Sequence, residues 1–238
     1  MVRGMRRPSL VRPLTITYAV VAAADTVLAG SGDPRAHRAR LVTKPLLMPV
    51  LAAAFAVDPR GRRSPLGRPT RVAQLAGWIG DLALLRSGTS AFLTGMGAFA
   101  AGQASYLSGF RHHRAARVWR TPIGGATALA FAATGPVLAV GAAQQDPVLG
   151  PGVLTYAALV TAMAAHAGNL APSVPIAARR ATAAGGLAFL ASDTLLGIGQ
   201  FALTDPPAWL ECAVMATYAT AQYLLAEGAL RAAPQSAE

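Results

Sequence analysis

The sequence predicts an all-α protein: a polytopic membrane helix bundle of about eight transmembrane helices with both termini in the cytoplasm. Of its 238 residues, 53% are apolar and only 13% are charged, about half the charged share of a typical soluble domain. The single cysteine, Cys212, excludes a disulfide framework and a cysteine-rich metal site. The formal net charge of +11 would suit a nucleic-acid binder, but the basic residues lie in short loops between apolar stretches, which argues against one.

Eight apolar stretches are long enough, alone or with their flanks, to cross a hydrocarbon core that needs about 20 helical residues. In lipid, a helix satisfies its backbone groups within one segment, and abundant alanine and glycine allow close helix contacts. The third stretch is short and must extend into its neighbours. A buried alanine-rich soluble bundle is the alternative, and the succession of eight spans disfavours it. The predicted spans are Leu14–Gly30, Leu41–Val57, Val72–Leu85, Ser90–Phe110, Thr121–Ala142, Gly152–Leu170, Ala181–Leu203 and Ala208–Leu230.

The arginines predict the orientation of the bundle. With the N-terminus inside, the cytoplasmic segments hold sixteen arginines and the opposite segments four, as the positive-inside rule requires. The basic segment 1–13 could begin a signal peptide, but seven further spans favour an uncleaved first helix. We therefore expect one integral membrane domain over residues 1–238, with a short tail at 231–238. The arginine-rich, lysine-poor composition points to a bacterial protein, and thus to the plasma membrane.

Ionisable residues inside spans are costly and usually mark function or pairing. At 1.5 Å per residue, Asp81 lies about 13 Å and Asp193 about 18 Å into their predicted spans, both near the midplane. Asp25 lies at a similar depth. Lys44 is expected only about 5 Å from the outer boundary, where it could bind a phosphate headgroup or neutralise Asp25 or Asp81.

Three further ionisable residues are expected to be less informative. Glu211 and Glu227 fall close to the span boundaries and are interpreted as interfacial. His166 falls near the inner end of its span and is interpreted as a packed or hydrogen-bonded histidine.

The two deep aspartates have similar surroundings. Each follows a small residue and precedes leucines, and the next span in each case carries a Met-x-x-aromatic-x-x-x-Gln pattern that ends at Gln103 or Gln222. The similarity suggests a four-helix unit present twice in parallel orientation. Such a repeat would bring Asp81 and Asp193 towards one central cavity. The two glutamines could line that cavity or simply bond a neighbouring helix.

The sequence contains no phosphate-cradling glycine loop, no zinc-binding HExxH and no nucleophile-elbow GxSxG motif. We expect no metal and no cofactor. Three interpretations of Asp81 and Asp193 remain open at this point. They could be a catalytic carboxylate pair, the proton or cation sites of a small transporter or lipid-handling protein with Lys44 as a gate, or packing residues that pair with Lys44.

Six short motifs follow one another in order between Thr43 and Gln222. They are Thr43-Lys44-Pro45 with Met48-Pro49, Gly80-Asp81-x-x-Leu84, Phe92-x-x-Gly95-x-x-x-Phe99 with Tyr106, Tyr156 with Met163, Phe189-x-x-Ser192-Asp193, and Thr217-Tyr218 with Gln222. The ordered set resembles the YhhN family, and the agreement in order and spacing extends from about residue 14 to 230. The resemblance implies a lysoplasmalogenase-type fold of about eight helices. It also implies hydrolysis of the vinyl ether bond of lysoplasmalogens to a fatty aldehyde and glycerophospho-ethanolamine or -choline.

The resemblance implies that Asp81 and Asp193 are the catalytic residues and that a lysophospholipid within the membrane is the substrate. Vinyl ether hydrolysis needs a proton donor and an anion that stabilises an oxocarbenium ion, and two carboxylates in different environments can supply both. One departure is Gln103, where family members often carry histidine. Asp25 is a secondary candidate. The expected substrate-binding residues are Thr43, Lys44, Gln103, Tyr106, Tyr156, Ser192, Tyr218 and Gln222.

Overall fold

The computed structural model describes residues 10–115 and 117–234. The predicted basic segment up to residue 9 and the last four residues of the tail lie outside the described residues. The described chain is helical, and its eight long helices correspond one to one with the eight predicted spans. The α-helices are α1 (Val11–Ala29), α2 (Pro34–Val57), α3 (Pro59–Arg63), α4 (Gly67–Ala83), α5 (Thr89–His112), α6 (Pro122–Gln145), α7 (Leu149–Ala167), α8 (Ile176–Phe201) and α9 (Ala208–Arg231).

Consecutive long helices run in opposite directions, so the loops collect at two ends of the bundle. We call the outer end the one that holds the loops 30–33, 84–88, 146–148 and 202–207. There Gln145 at the end of α6 donates a hydrogen bond to the carbonyl of Gln200 near the end of α8, at 2.7 Å. At the opposite, inner end, Ala115 after α5 donates to the carbonyl of Asn169 after α7, at 2.9 Å.

Five of the described helices, α1, α2, α6, α7 and α8, are long and apolar enough to cross a membrane. The remaining long helices, α4, α5 and α9, turn polar side chains into the interior, which lowers their hydropathy. Gln74 and Asp81 on α4 are buried in this way, as are Gln103 on α5 and Gln222 on α9. The protein is therefore a polytopic helical membrane protein, and α4, α5 and α9 bury polar side chains between its helices.

Five helices form a closed ring around the polar interior. In order around the ring, α4 packs on α5, α5 on α7, α7 on α8, α8 on α9, and α9 on α4. Helices α1 and α2 cover the α9–α4 side, and α6 covers the α7–α8 side. Within each half of the chain, the first long helix packs on the second, the second on the third and the third on the fourth. The contacts between the halves differ, because α9 packs on α1 and α4 whereas, among the described residues, α5 contacts neither α6 nor α8. The four-helix repeat therefore stays a prediction.

Helix α2 begins seven residues before its predicted start. Asp33 caps it by accepting a hydrogen bond from the backbone N–H of Arg35 at 2.7 Å, and Pro34 occupies the first helical position, where a missing N–H costs nothing. The expected distance of about 5 Å was counted from the start of the apolar stretch, whereas the helix itself starts earlier. Lys44 lies ten residues into α2, about 15 Å from the outer end of that helix.

The depth of Asp81 has a different origin from the one predicted. Helix α4 extends back to Gly67, as the short third span requires, and ends at Ala83, only two residues after Asp81. Along its own helix Asp81 is thus near the outer terminus. However, the outer end of α4 lies deeper in the bundle than the outer ends of α2 and α9. The partners of Asp81, Lys44 on α2 and Tyr218 on α9, each lie ten residues into their helices, so the carboxyl group is still about 15 Å below their outer ends.

Candidate active site

Asp81 lies in a compartment between α2, α4 and α9. Its side chain is buried, at 2% exposure. The hydroxyl of Tyr218 donates a hydrogen bond to Oδ2 at 2.8 Å, and Nζ of Lys44 lies 4.0 Å from Oδ1. Gly77 lies one turn before Asp81, and a Cβ there would be 3.4 Å from the Tyr218 hydroxyl. The glycine therefore provides the space in which the tyrosine reaches the carboxylate.

Asp25 forms a second acidic site beside the first, and Lys44 does not neutralise it. The hydroxyl of Thr43 donates to Oδ1 of Asp25 at 2.6 Å, and Nε of Arg40 lies 3.7 Å from the same oxygen. Arg40 also donates through Nη1 to Glu211 at 2.9 Å. Arg40 was not predicted as a site residue, because the sequence placed it in a loop. Its spacing of four from Lys44 puts both on one helix face, a signal available once α2 starts at Pro34.

Asp193 lies in another compartment, between α5, α7 and α8. The hydroxyl of Tyr156 donates to its Oδ2 at 2.7 Å, and the side-chain amide of Gln103 contacts that hydroxyl. Among the described residues, no basic side chain is paired with Asp193. Its surroundings therefore differ from those of Asp81, which faces an ammonium group.

Asp193 borders a cavity of about 70 Å³ between α5, α6, α7 and α8. Apart from Tyr156, Asp193 and three threonines, the wall is apolar. The side chains that form it come mainly from α5, α6, α7 and α8, with Leu84 from just beyond α4. They are Leu84, Phe92, Met96, Phe99, Phe131, Thr134, Leu138, Val153, Tyr156, Ala157, Val160, Thr161, Leu190, Asp193, Thr194, Leu196, Gly197 and Phe201.

The expected single cavity reaches Asp193 but not Asp81. Phe99 separates the two compartments. Its ring lines the cavity and packs edge-to-face on Tyr218, with ring centroids 5.9 Å apart. It also lies against the backbone of Gly80, where a Cβ would come within 2.6 Å of the ring. The Gly80-Asp81 step thus lets Phe99 lie directly beside the Asp81 turn, and one aromatic ring lies between the compartments.

Four of the predicted substrate-binding residues connect helices and do not line the cavity. Tyr106 donates to Oε1 of Gln222 at 3.4 Å, and both are buried. Ser192 donates to the carbonyl of Val214 at 3.0 Å, which links α8 to α9. Gln103 is also buried, and its side-chain amide contacts the hydroxyl of Tyr156. These contacts support the alternative in which the two glutamines bond neighbouring helices.

His166 is hydrogen-bonded as expected, and Glu211 and Glu227 each pair with an arginine. Nδ1 of His166 is 2.7 Å from the carbonyl of Ala162, a hydrogen bond within α7. Glu227 accepts from Arg231 at 2.7 Å one turn on, and Glu211 is exposed. Among the described residues, no group of three histidine, cysteine, aspartate or glutamate side chains could hold a metal ion.

The fold and the site together define a polytopic helical membrane protein with Asp81 and Asp193 in two separate compartments between its helices. The chain belongs to the YhhN family, whose model matches residues 39–229. The match covers α2 to α9 with both compartments, and it leaves out α1 with Asp25. No curated protein and no solved structure matches the chain.

Proposed function

We propose that the protein is a membrane hydrolase that cleaves the vinyl ether bond of a lysoplasmalogen or a related lyso ether lipid. The products would be a fatty aldehyde and glycerophospho-ethanolamine or -choline, and the site of action would be a bacterial plasma membrane. The observation that carries the proposal is the position of Asp193, a carboxyl group on the wall of an otherwise apolar cavity inside the bundle. An uncharged vinyl ether with its hydrocarbon chain matches such a wall. The resemblance to the YhhN family supplies the reaction.

The reaction begins with transfer of a proton to the vinyl carbon β to the ether oxygen. We assign this step to Asp193, since its hydrogen-bond partner is the neutral hydroxyl of Tyr156 and it faces the cavity. Protonation leaves an oxocarbenium ion. Water adds to the carbon next to the oxygen, and the resulting hemiacetal collapses to aldehyde and alcohol. General acid catalysis of this kind contributes roughly 10²–10⁴-fold.

Asp81 is proposed as the second carboxylate, which stabilises the cation and accepts the proton of the attacking water. When the hemiacetal collapses, its hydroxyl proton passes to the departing alcohol oxygen, and the proton held by Asp81 returns to Asp193 by way of water. The ion pair of Asp81 with Lys44 at 4.0 Å suits a group that carries negative charge. Phe99 stands between Asp81 and the cavity, so this role requires the ring to change rotamer when substrate binds. Asp25, paired with Thr43 and Arg40, lies one layer further from the cavity and receives no catalytic role.

The test is aldehyde release by purified protein supplied with lysoplasmenylethanolamine or lysoplasmenylcholine. Asp81→Asn and Asp193→Asn should each lower turnover by roughly 10²-fold or more while the protein remains folded. Asp205→Asn, on the exposed loop before α9, is the matched control and should be unaffected. Normal turnover by both site variants would contradict the carboxylate pair. A folded parent that releases no aldehyde, but carries lipid or protons into proteoliposomes, would favour the transporter instead.

A further inference from the structure

The cavity beside Asp193 extends along the bundle both above and below the carboxyl group. Counted from the outer end of each helix at 1.5 Å per residue, Phe92 lies at about 5 Å, Asp193 at about 12 Å and Phe131 at about 21 Å. The carboxyl group is thus about half-way down the wall. A bound molecule therefore has room on both sides of the point at which Asp193 acts.

The upper part of the cavity ends at an aromatic pair. The rings of Phe92 on α5 and Phe201 on α8 meet edge-to-face, with centroids 5.5 Å apart. The two helices do not pack on each other, so these side chains close the space between them. Beside them at the outer end is a shallow depression lined by Thr89, Ser90 and Asp146, among others. Its hydroxyl and carboxylate oxygens suit a polar, positively charged group.

The lower part of the cavity has a different chemistry. Its floor is formed by Phe131, Val160 and Leu190, with Thr161 beside them. Val160 is 1% exposed, and Thr161 uses its hydroxyl in a 2.8 Å hydrogen bond to the carbonyl of Ala157. That hydroxyl is therefore satisfied within its own helix, and the floor offers a bound molecule little besides hydrocarbon.

We propose that this cavity is a directional subsite for one hydrocarbon chain, with the polar headgroup at the Phe92–Phe201 end and the chain running down to the floor. A cavity of about 70 Å³ is far smaller than the roughly 300–1,000 Å³ of ordinary ligand pockets. It therefore excludes the two chains of a diacyl lipid, and a single chain enters it only as the side chains of the wall move aside. In this direction the glycerol end of the chain passes Asp193 and the tail lies against Phe131. The identity of the lipid as a vinyl ether rests on the proposed function, but the direction of binding does not.

A photo-crosslinking experiment tests the direction without requiring turnover. The probe is a saturated 1-O-alkyl lysophosphoethanolamine with a diazirine at the chain terminus, which has no vinyl ether to hydrolyse. It is added to the full-length protein in phosphatidylcholine nanodiscs, and the labelled peptides are mapped. We expect label on the floor at Phe131 or Val160. Label at Phe92 or Phe201 would reverse the direction, and label confined to lipid-exposed side chains, such as Leu129 or Val137, would show no chain in the cavity; either result would overturn the proposal.

A pair of adjacent alanines gives a matched control. Ala157 lines the cavity next to Tyr156, whereas Ala158 is exposed on the outside of α7. Ala157→Phe should lower floor labelling about tenfold or more, and Ala158→Phe should leave it unchanged. Equal labelling in both variants would overturn the proposal. If Ala157→Phe does not fold, Ala157→Leu is a smaller block with the same expected direction.

The two proposals can fail separately. Floor labelling by the saturated probe, together with no aldehyde release from vinyl ethers, would retain the chain subsite and reject the hydrolase. Aldehyde release that is equally fast in the parent and in folded Ala157→Phe, with no floor labelling, would retain the hydrolase and reject the subsite.

Discussion

Substitution of Trp78 tests how helix α2 holds Thr43 and Lys44 in the site. Pro49 has no N–H, so it cannot bond the carbonyl four residues earlier, which belongs to Pro45. The indole Nε1 of Trp78 donates to that carbonyl at 3.0 Å. Trp78→Phe removes this donor and also leaves space where the second ring was. A hydrogen bond between transmembrane helices is worth about 0.6 kcal/mol on average and up to about 1.7 kcal/mol. Because the Pro45 carbonyl would be left without a donor, we expect the free energy of this hydrogen bond to lie near the upper end of that range.

A double-mutant cycle separates the hydrogen bond from the lost ring. Pro49→Ala restores an N–H that can bond the Pro45 carbonyl within the helix. The ring loss is the same in both backgrounds, so Trp78→Phe should cost about 1 kcal/mol less in Pro49→Ala than in the parent. The assay is equilibrium unfolding in mixed detergent micelles, with helix content as the signal. Equal costs in the two backgrounds would refute the view that the indole serves the carbonyl that proline leaves free.

Two further substitutions test the compartments themselves. Gly80→Ala places a Cβ within 2.6 Å of the Phe99 ring, so unfolding free energy should fall by about 1–3 kcal/mol. Gly97→Ala, which meets nothing within 4 Å, should raise it by up to about 1 kcal/mol, and an equal fall in both would contradict the close contact. Tyr156→Phe deletes the donor to Asp193, so kcat for aldehyde release should fall about tenfold or more with KM nearly constant. A change confined to KM would show that Tyr156 only binds substrate.

The number and order of the helices could be predicted because hydropathy and arginine placement are local properties. The starts of the helices could be predicted less well where polar residues continue a helix beyond its apolar stretch. Helix α2 is the clearest example, since Arg35 and Arg38 interrupt the apolar pattern while Asp33-Pro34 carries a capping signal. Capping determines where the backbone begins to coil, and hydropathy only shows where it enters lipid. The Asp33-Pro34 cap signal would therefore have placed the start of α2, and with it the distance of Lys44 from the outer end of the helix.

The candidate residues were accessible from the sequence, but their partners were not. A carboxyl group within an apolar span can be recognised from that stretch of the sequence alone. The pairing of Lys44 with Asp81, and of Arg40 with Asp25, depends on how α1, α2 and α4 rotate against one another. Neither the spacing nor the charge of these residues shows which basic side chain pairs with which aspartate. The separation of the compartments by Phe99 depends in turn on the absence of a side chain at Gly80.

The unequal surroundings of the two aspartates bear on the predicted repeat and on the proposed roles. A strict repeat would give Asp81 and Asp193 equivalent partners. Instead, Asp81 receives its hydrogen bond from Tyr218 in the other half of the chain, and Asp193 from Tyr156 in its own half. At the position of the first pattern that corresponds to Tyr218 stands Phe99, which has no hydroxyl to donate. The predicted repeat would thus have an apolar ring in one unit where the other has a tyrosine beside a carboxylate. Whatever the origin of the two halves, Asp193 borders a largely apolar wall and Asp81 lies next to an ammonium group, and two such environments are what the proposed acid and anion roles require.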